Sequence, residues 1–233
     1  MTVARRSEAV AVAVGAALLA AAVFRRTRLR FVAPIIAGAG GATAGYRRIY
    51  RWSSPAGWAA MALDATWGLP GTVAGLAMQA LQVATGGTYR EDLAERQNLH
   101  VYEDGPSLAA DFALTWGNVV SNAAGRSGLD PGTEVGRRRR RFVRAHEGLH
   151  VWQQRWFGPL YPLLYGSWTV AAVPAATVLW LRRGGSWRRV VTTVAYYDNP
   201  FEYWAYRNDR YWPPSGVDLR VAWGPRDRGL TPV

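Results

Sequence analysis

The sequence predicts a mainly α-helical protein of the α+β class: a helical core with one small β-hairpin, preceded by an N-terminal membrane helical hairpin. Three observations predict it. Two uncharged runs of 16 residues, 9–24 and 31–46, stand near the start, each bracketed by arginines. A long helical stretch over residues 133–156 carries two histidines four positions apart. Short apolar segments near residues 98–116, broken by turn residues, supply the strands.

As helices, the runs AVAVAVGAALLAAAVF and FVAPIIAGAGGATAGY would each be roughly 24 Å long, against a hydrocarbon core of about 30 Å. They are short spans, extended by snorkelling arginines at Arg5-Arg6, Arg25-Arg26, Arg30 and Arg47-Arg48. The first run also has the form of a cleaved signal peptide, with Ala20-Ala21-Ala22 as its small-residue site. The second, rich in glycine and alanine, also suits a buried or interfacial segment. Arginines on both flanks and in the turn leave the orientation open. Residues 1–51 are therefore set apart as membrane-associated helices, 52–212 as the folded domain and 213–233 as an extended C-terminal tail.

Within the domain, residues 64–70 (DATWGLP) form a turn or cap before an amphipathic helix over roughly 70–84, ended by Gly86-Gly87. Residues 98–102 and 112–116 are expected as two strands around Glu103-Asp104-Gly105-Pro106, and residues 118–131 as a loop. Asp130-Pro131-Gly132 starts the long helix, which Gly158-Pro159 stops. A last helix opens at Asp198-Asn199-Pro200, a polar cap before proline in the first turn, and closes at Pro213-Pro214.

The length of 233 residues allows one domain with a real core, or a smaller domain with membrane segments. Absence of cysteine excludes disulfides and thiolate metal sites. Any metal must be held by histidine and carboxylate, and the only histidines are His100, His146 and His150. The net charge is +12 and every basic residue is arginine, a usage that points to a GC-rich bacterial coding genome. A basic surface with 12 tryptophans suits anionic lipid headgroups. Nucleic acid is the competing partner; no nucleic-acid motif is present and the arginines flank apolar runs, which favours lipid and a bacterial cell-membrane location.

The chemistry concentrates in His146-Glu147-Gly148-Leu149-His150. Histidines at i and i+4 share a helix face, so both imidazoles reach one tetrahedral zinc ion at roughly 2.0–2.1 Å. Glu147 lies about 100° round the helix, poorly placed to share the ion but able to reach its water. A catalytic zinc takes three protein ligands and keeps one position open. With no cysteine and no good third histidine, the third ligand should be a carboxylate. Glu202, in the first turn of the capped last helix, is the best candidate, ahead of Asp198, which is better used as a cap, and Asp209. A carboxylate there also has the ordinary role of answering the helix dipole, and the five-residue motif can arise on any helix bearing two histidines.

The segments HEGLHVWQQRWFGPLYPLLYGSW and NPFEYWAY resemble small bacterial gluzincin-like proteins, which carry an HExxH-x-x-Q helix and a later N-P-x-E-x-x-A-Y helix. DATWGLPGT and FALTWGNVVS are similar to the same family's lead-in, the latter a substrate-side strand entering a Gly-Asn turn. The resemblance covers roughly residues 60–212. It implies a zincin-like metallopeptidase fold, ligands His146, His150 and Glu202, and Glu147 as general base.

On that basis the expected activity is peptide hydrolysis: zinc activates water, Glu147 moves its proton to the leaving amine, and a tyrosine or arginine steadies the oxyanion. Tyr206 is the candidate, with Tyr197 and Tyr203 as close in sequence. The alternative is a non-catalytic, zinc-stabilised membrane or scaffold protein. One obstacle is the uncharged run 156–181 between His150 and Glu202. A single crossing would part them by roughly 30 Å, so the run is expected to fold back at its prolines as an apolar hairpin. An intramembrane site of the site-2 protease type is the alternative, opposed by the cost of burying Arg137–Arg141. Those arginines oppose the helix dipole and are expected either to meet headgroups or to form a solvated face.

Overall fold

The computed structural model describes residues 3–223. The chain is mainly helical with a small mixed sheet, and it divides into two compact units, Met1–Pro159 and Leu160–Val233.

The first unit begins with α1 (Val3–Phe24) and α2 (Val32–Tyr46), an antiparallel hairpin built on small residues. A Cβ at Gly41 would lie 2.7 Å from the Val12 carbonyl oxygen, and one at Gly45 2.6 Å from that of Glu8. Only glycine lets the two backbones come this close. Val12, Ala16 and Ala20 of α1 and Ala33, Ala37 and Ala44 of α2 are buried, whereas Val10, Val14, Leu18 and Ile35 face outward. The hairpin is not a separate region ending at residue 51. Glu8 accepts from Arg96 at 2.6 and 2.8 Å, and from the Trp52 indole at 2.8 Å, which binds α1 into the first unit.

An unforeseen helix, α3 (Pro55–Ala65), opens on proline, and α4 (Leu69–Thr85) follows, close to the expected 70–84. After the short α5 (Glu91–Ala94) come β1 (His100–Val101), β2 (Leu114–Trp116) and β3 (Val119–Ser121), ordered β1-β3-β2. The two segments expected as strands do not pair with each other. Both pair with β3: β1 parallel, with His100 opposite Val119, and β2 antiparallel, with Thr115 opposite Val120. The residues of β3 were expected in a loop; three residues, all buried, are too few to show an alternating pattern. Gly117, at φ +60°, makes the β2–β3 turn, and a Cβ there would overlap the Gly71 carbonyl of α4.

The long helix appears as α6 (Glu134–Phe142), a π-helical segment (Val143–Glu147) and α7 (Gly148–Phe157). Thr133 caps it, its hydroxyl accepting from the Gly136 N–H at 3.0 Å. Val143 and Val151 point into a core with Leu93, Leu99, Val101 and Val120.

In the second unit, the expected apolar hairpin within 156–181 is not formed. Residues Leu160–Arg183 are one 24-residue helix, α8. Pro162 falls in its first turn, where an N–H has no helical partner. Pro174 lies inside it, but its cost of about 3 kcal/mol is spread over a long helix rich in alanine and leucine. The reversal comes later, at Gly184-Gly185, both with positive φ. From there α9 (Trp187–Val191), a π segment (Thr192–Tyr197) and α10 (Pro200–Asn208) run back along α8. Val190 and Val194 pack on Ala172 and Ala176, the Trp168 indole donates to the Val194 carbonyl at 3.1 Å, and the Phe201 ring meets Tyr161 at 4.9 Å.

The part of the C-terminal tail within the described residues is folded rather than extended: Val217 and Val221 are buried, Val221 in the same core as Val190. Residues 224–233 of the expected tail lie outside the described residues. Helices α1 and α8 are each long and apolar enough to cross a membrane, and only 17% and 11% of their apolar windows are buried.

Candidate metal centre

The i, i+4 spacing of His146 and His150 brings their Nε2 atoms to 3.2 Å. Two nitrogens bound tetrahedrally to one zinc at 2.0–2.1 Å would stand about 3.3–3.4 Å apart, so the imidazole pair fits a shared ion without rearrangement. His150 is oriented from behind. Its Nδ1 donates to the Gln153 Oε1 at 2.8 Å, which leaves the Nε2 lone pair facing His146. The His146 ring stacks on Phe142 with centroids 4.4 Å apart. Both histidines and Glu147 are buried. His146 and Glu147 lie in the π segment, a wider turn that is frequent at functional sites.

Glu147 has its own partner: its Oε2 accepts from the Thr115 hydroxyl at 2.5 Å. Gln154, the next glutamine of the helix, ties β2 down. Its Oε1 accepts from the Gly117 N–H at 2.7 Å and its amide donates to the Thr115 carbonyl at 3.3 Å. The edge strand β2 is thereby held beside the Glu147 carboxylate. Behind this helix, Arg155 and Asp64 form a buried bidentate pair at 2.7 and 2.8 Å. The Tyr50 hydroxyl also donates to Asp64 at 2.9 Å, and Arg155 donates to the Asn98 carbonyl at 2.7 Å.

In the second unit, Asn199 rather than Asp198 caps α10, its side chain accepting from the Phe201 N–H at 3.1 Å. Asp198 instead accepts from the Trp223 N–H at 3.1 Å, and Asp209 lies at the far end of α10. Glu202 is buried in the first turn, and its Oε1 accepts from the Tyr165 hydroxyl of α8 at 2.9 Å. The return of the chain along α8 makes this contact, bringing Glu202 beside a helix that starts ten residues after His150.

Tyr206 is buried one turn beyond Glu202 and shares a hydrogen bond with Tyr196, whose hydroxyl is held protonated far above its usual range by burial and by the Glu202 charge. Of its rivals, Tyr197 packs its hydroxyl against Gly216, and Tyr203 lies edge-on to Trp212 at 4.7 Å. His100 is apart from the centre, its Nδ1 3.2 Å from the Tyr89 hydroxyl. Burial pushes its imidazole down to about 3.

His146, His150 and Glu202 form a buried group whose candidate ligand atoms lie within 4.8 Å of one another, a set that could bind a metal ion. The sequence named these three. It did not reveal Thr115, Tyr165 or the Asp64–Arg155 pair, which are joined only by contacts across 32, 37 and 91 residues. The HExxH-x-x-Q spacing did signal Gln153. Compared with family models, curated proteins and solved structures, the chain gives no match.

Proposed function

We propose that the protein is a membrane-associated, zinc-dependent metallopeptidase with a zincin-like, gluzincin arrangement. The observation that carries the proposal is the buried His146–His150–Glu202 group, with Glu147 in the same motif. Two imidazoles and a carboxylate are the donor set of a catalytic zinc site. A structural site has no need of a further buried carboxylate such as Glu147. Bound there, zinc would lower the pKa of water toward neutrality and polarise a peptide carbonyl.

The residues of the chain supply the rest. Glu147, steadied by Thr115, takes the proton of the attacking water and hands it to the leaving amine. β2 is an edge strand of the sheet, the position to which an extended peptide can add. Tyr165 orients Glu202, and Tyr206 is the group assigned to the developing oxyanion. The outward-facing apolar residues of α1 and α8 support membrane association, with peptide or protein as substrate and anionic lipid, ahead of nucleic acid, as the surrounding partner.

The test is zinc per chain by elemental mass spectrometry on detergent-purified protein, followed by hydrolysis of a fluorogenic peptide library. Wild type should hold close to one zinc; His150→Ala and Glu202→Ala should lose it. Glu147→Gln should keep the zinc and lose hydrolysis by roughly 10²–10⁴-fold. Zinc without turnover in the wild type would instead indicate a zinc-stabilised scaffold, and no zinc after replenishment would end the metal assignment.

A further inference from the structure

The five-arginine run before the motif is not uniform. Arg139 turns inward, donating to the Ala123 and Asn122 carbonyls at 2.7 and 3.2 Å. Arg137, Arg140, Arg141 and Arg144, at i, i+3, i+4 and i+7, fall on one helix face. Together with Pro131 and Ala145 they line a cleft of about 460 Å³. Only Arg140 has an acidic partner among the described residues, Asp92 at 2.6 Å. Arg137 also donates to the Pro131 and Gly132 carbonyls at 3.1 and 3.0 Å, and Arg140 to that of Leu129 at 3.4 Å, but carbonyls carry no net charge. Four guanidiniums facing one cleft with a single carboxylate repel one another, and a ligand with anionic oxygens relieves that repulsion through charge-assisted hydrogen bonds.

The position of the cleft identifies the source of the anion. The apolar run of α1 begins just after Glu8, and that of α2 ends just before Arg47-Arg48, so residues 5–8 and 46–48 mark one end of the hairpin. Segment 90–96 is bonded to both: Arg5 to Glu91 at 2.8 Å, Glu8 to Arg96 at 2.6 Å and Arg48 to Glu95 at 2.9 Å. Asp92, in the middle of that segment, holds Arg140. With the hairpin in a bilayer, this end lies at headgroup level, and the cleft is tied to it through one residue.

We propose that the cleft formed by Arg137, Arg140, Arg141 and Arg144 binds the phosphate group of an anionic phospholipid. The proposal rests on the membrane part of the functional reading and is independent of its zinc part.

The experiment uses the full chain in neutral detergent, titrated calorimetrically with short-chain phosphatidylglycerol, short-chain phosphatidylcholine and inorganic phosphate. Wild type should bind phosphatidylglycerol saturably and well above phosphatidylcholine. Arg137→Gln/Arg141→Gln/Arg144→Gln should weaken binding on the order of a hundredfold. Arg51→Gln/Arg126→Gln/Arg188→Gln, which removes the same charge from exposed positions outside the cleft, should stay within about threefold. An unchanged melting temperature establishes that the variants are folded. Equal losses in both triple variants, or none in the first, would overturn the site. Inorganic phosphate binding as tightly as the lipid would overturn the lipid assignment in favour of a free-phosphate site. Carbonate extraction of membranes separately tests the hairpin: wild type released as a soluble protein would end the membrane reading, whereas retention with an unaltered triple variant would end only the cleft proposal.

Discussion

Arg155 meets Asp64 through two hydrogen bonds of 2.7 and 2.8 Å, both side chains almost wholly buried, joining α7 to α3 across 91 residues. Arg155 lies five residues after His150 on the same helix, so this pair and the Tyr50 and Asn98 contacts around it hold the histidine helix in its rotation and height. Removing one partner leaves the other charge buried and unpaired. Arg155→Leu should therefore lower stability by about 3–5 kcal/mol, measured by denaturant titration of the detergent-solubilised protein. A loss below about 1 kcal/mol would mean that the pair contributes no more than a surface ion pair.

Gln153 should matter to the metal more than to the fold. It fixes the His150 tautomer from a distance of 2.8 Å, and loss of such a partner typically weakens zinc binding about 10–100-fold. Competition with a zinc chelator should show that weakening in Gln153→Ala, with partial recovery in Gln153→Glu, whose carboxylate can still accept from Nδ1. Equal affinities in wild type and Gln153→Ala would remove the orienting role.

Thr115 holds Glu147, so its loss should appear in catalysis and not in metal content. Thr115→Val should keep close to one zinc per chain and reduce kcat of peptide hydrolysis about tenfold or more. An unchanged kcat would separate Thr115 from the base.

Gly45 faces the Glu8 carbonyl at a distance no side chain tolerates. Gly45→Val should split the α1–α2 hairpin and weaken the Glu8–Arg96 anchor, seen as new protease cleavage between residues 25 and 31 in membrane preparations. Gly15→Val, where a side chain meets open space, is the matched control and should leave the cleavage pattern as in wild type.

His100 gives the protein an acid-sensitive step. Its folded pKa of about 3 lies below the ordinary value of 6.5 because burial disfavours the cation. The unfolded chain therefore binds the extra proton first, and stability falls as pH drops from about 6.5 toward 3. Full protonation corresponds to about 5 kcal/mol. Asp92, held down to about 2 by Arg90 and Arg140, adds loss only at the lower end of that range. Melting temperatures between pH 7 and 4 should fall steeply in wild type and less steeply in His100→Gln; parallel curves would assign the loss to other groups.

The motif residues could be read from sequence because each is written in a few contiguous positions. His146, Glu147, His150 and Gln153 follow helical spacing, Asn199 and Pro200 announce the helix that carries Glu202, and the arginine-bracketed runs announce α1 and α2. What failed was decided by contacts between distant residues. The run 156–181 was expected to reverse at its prolines, yet Pro162 sits where a helix start accepts it and Pro174 costs less than the helix gains. Strand β3 was missed because three buried residues show no period until β1 and β2 frame them.

The local chemistry was thus determined by the sequence itself: which side chains can bind a metal, where the helices that carry them begin, and which runs are uncharged and apolar. Tertiary structure alone decided that the chain turns at Gly184-Gly185 and brings Glu202 back beside Tyr165, that Asp64 lies under Arg155, and that four of the clustered arginines face one cleft. Helix spacing and capping act over a few residues and leave a local signature. The return of one helix along another depends on how alanines, valines and aromatic rings far apart in the chain fit together, and no local window contains that information.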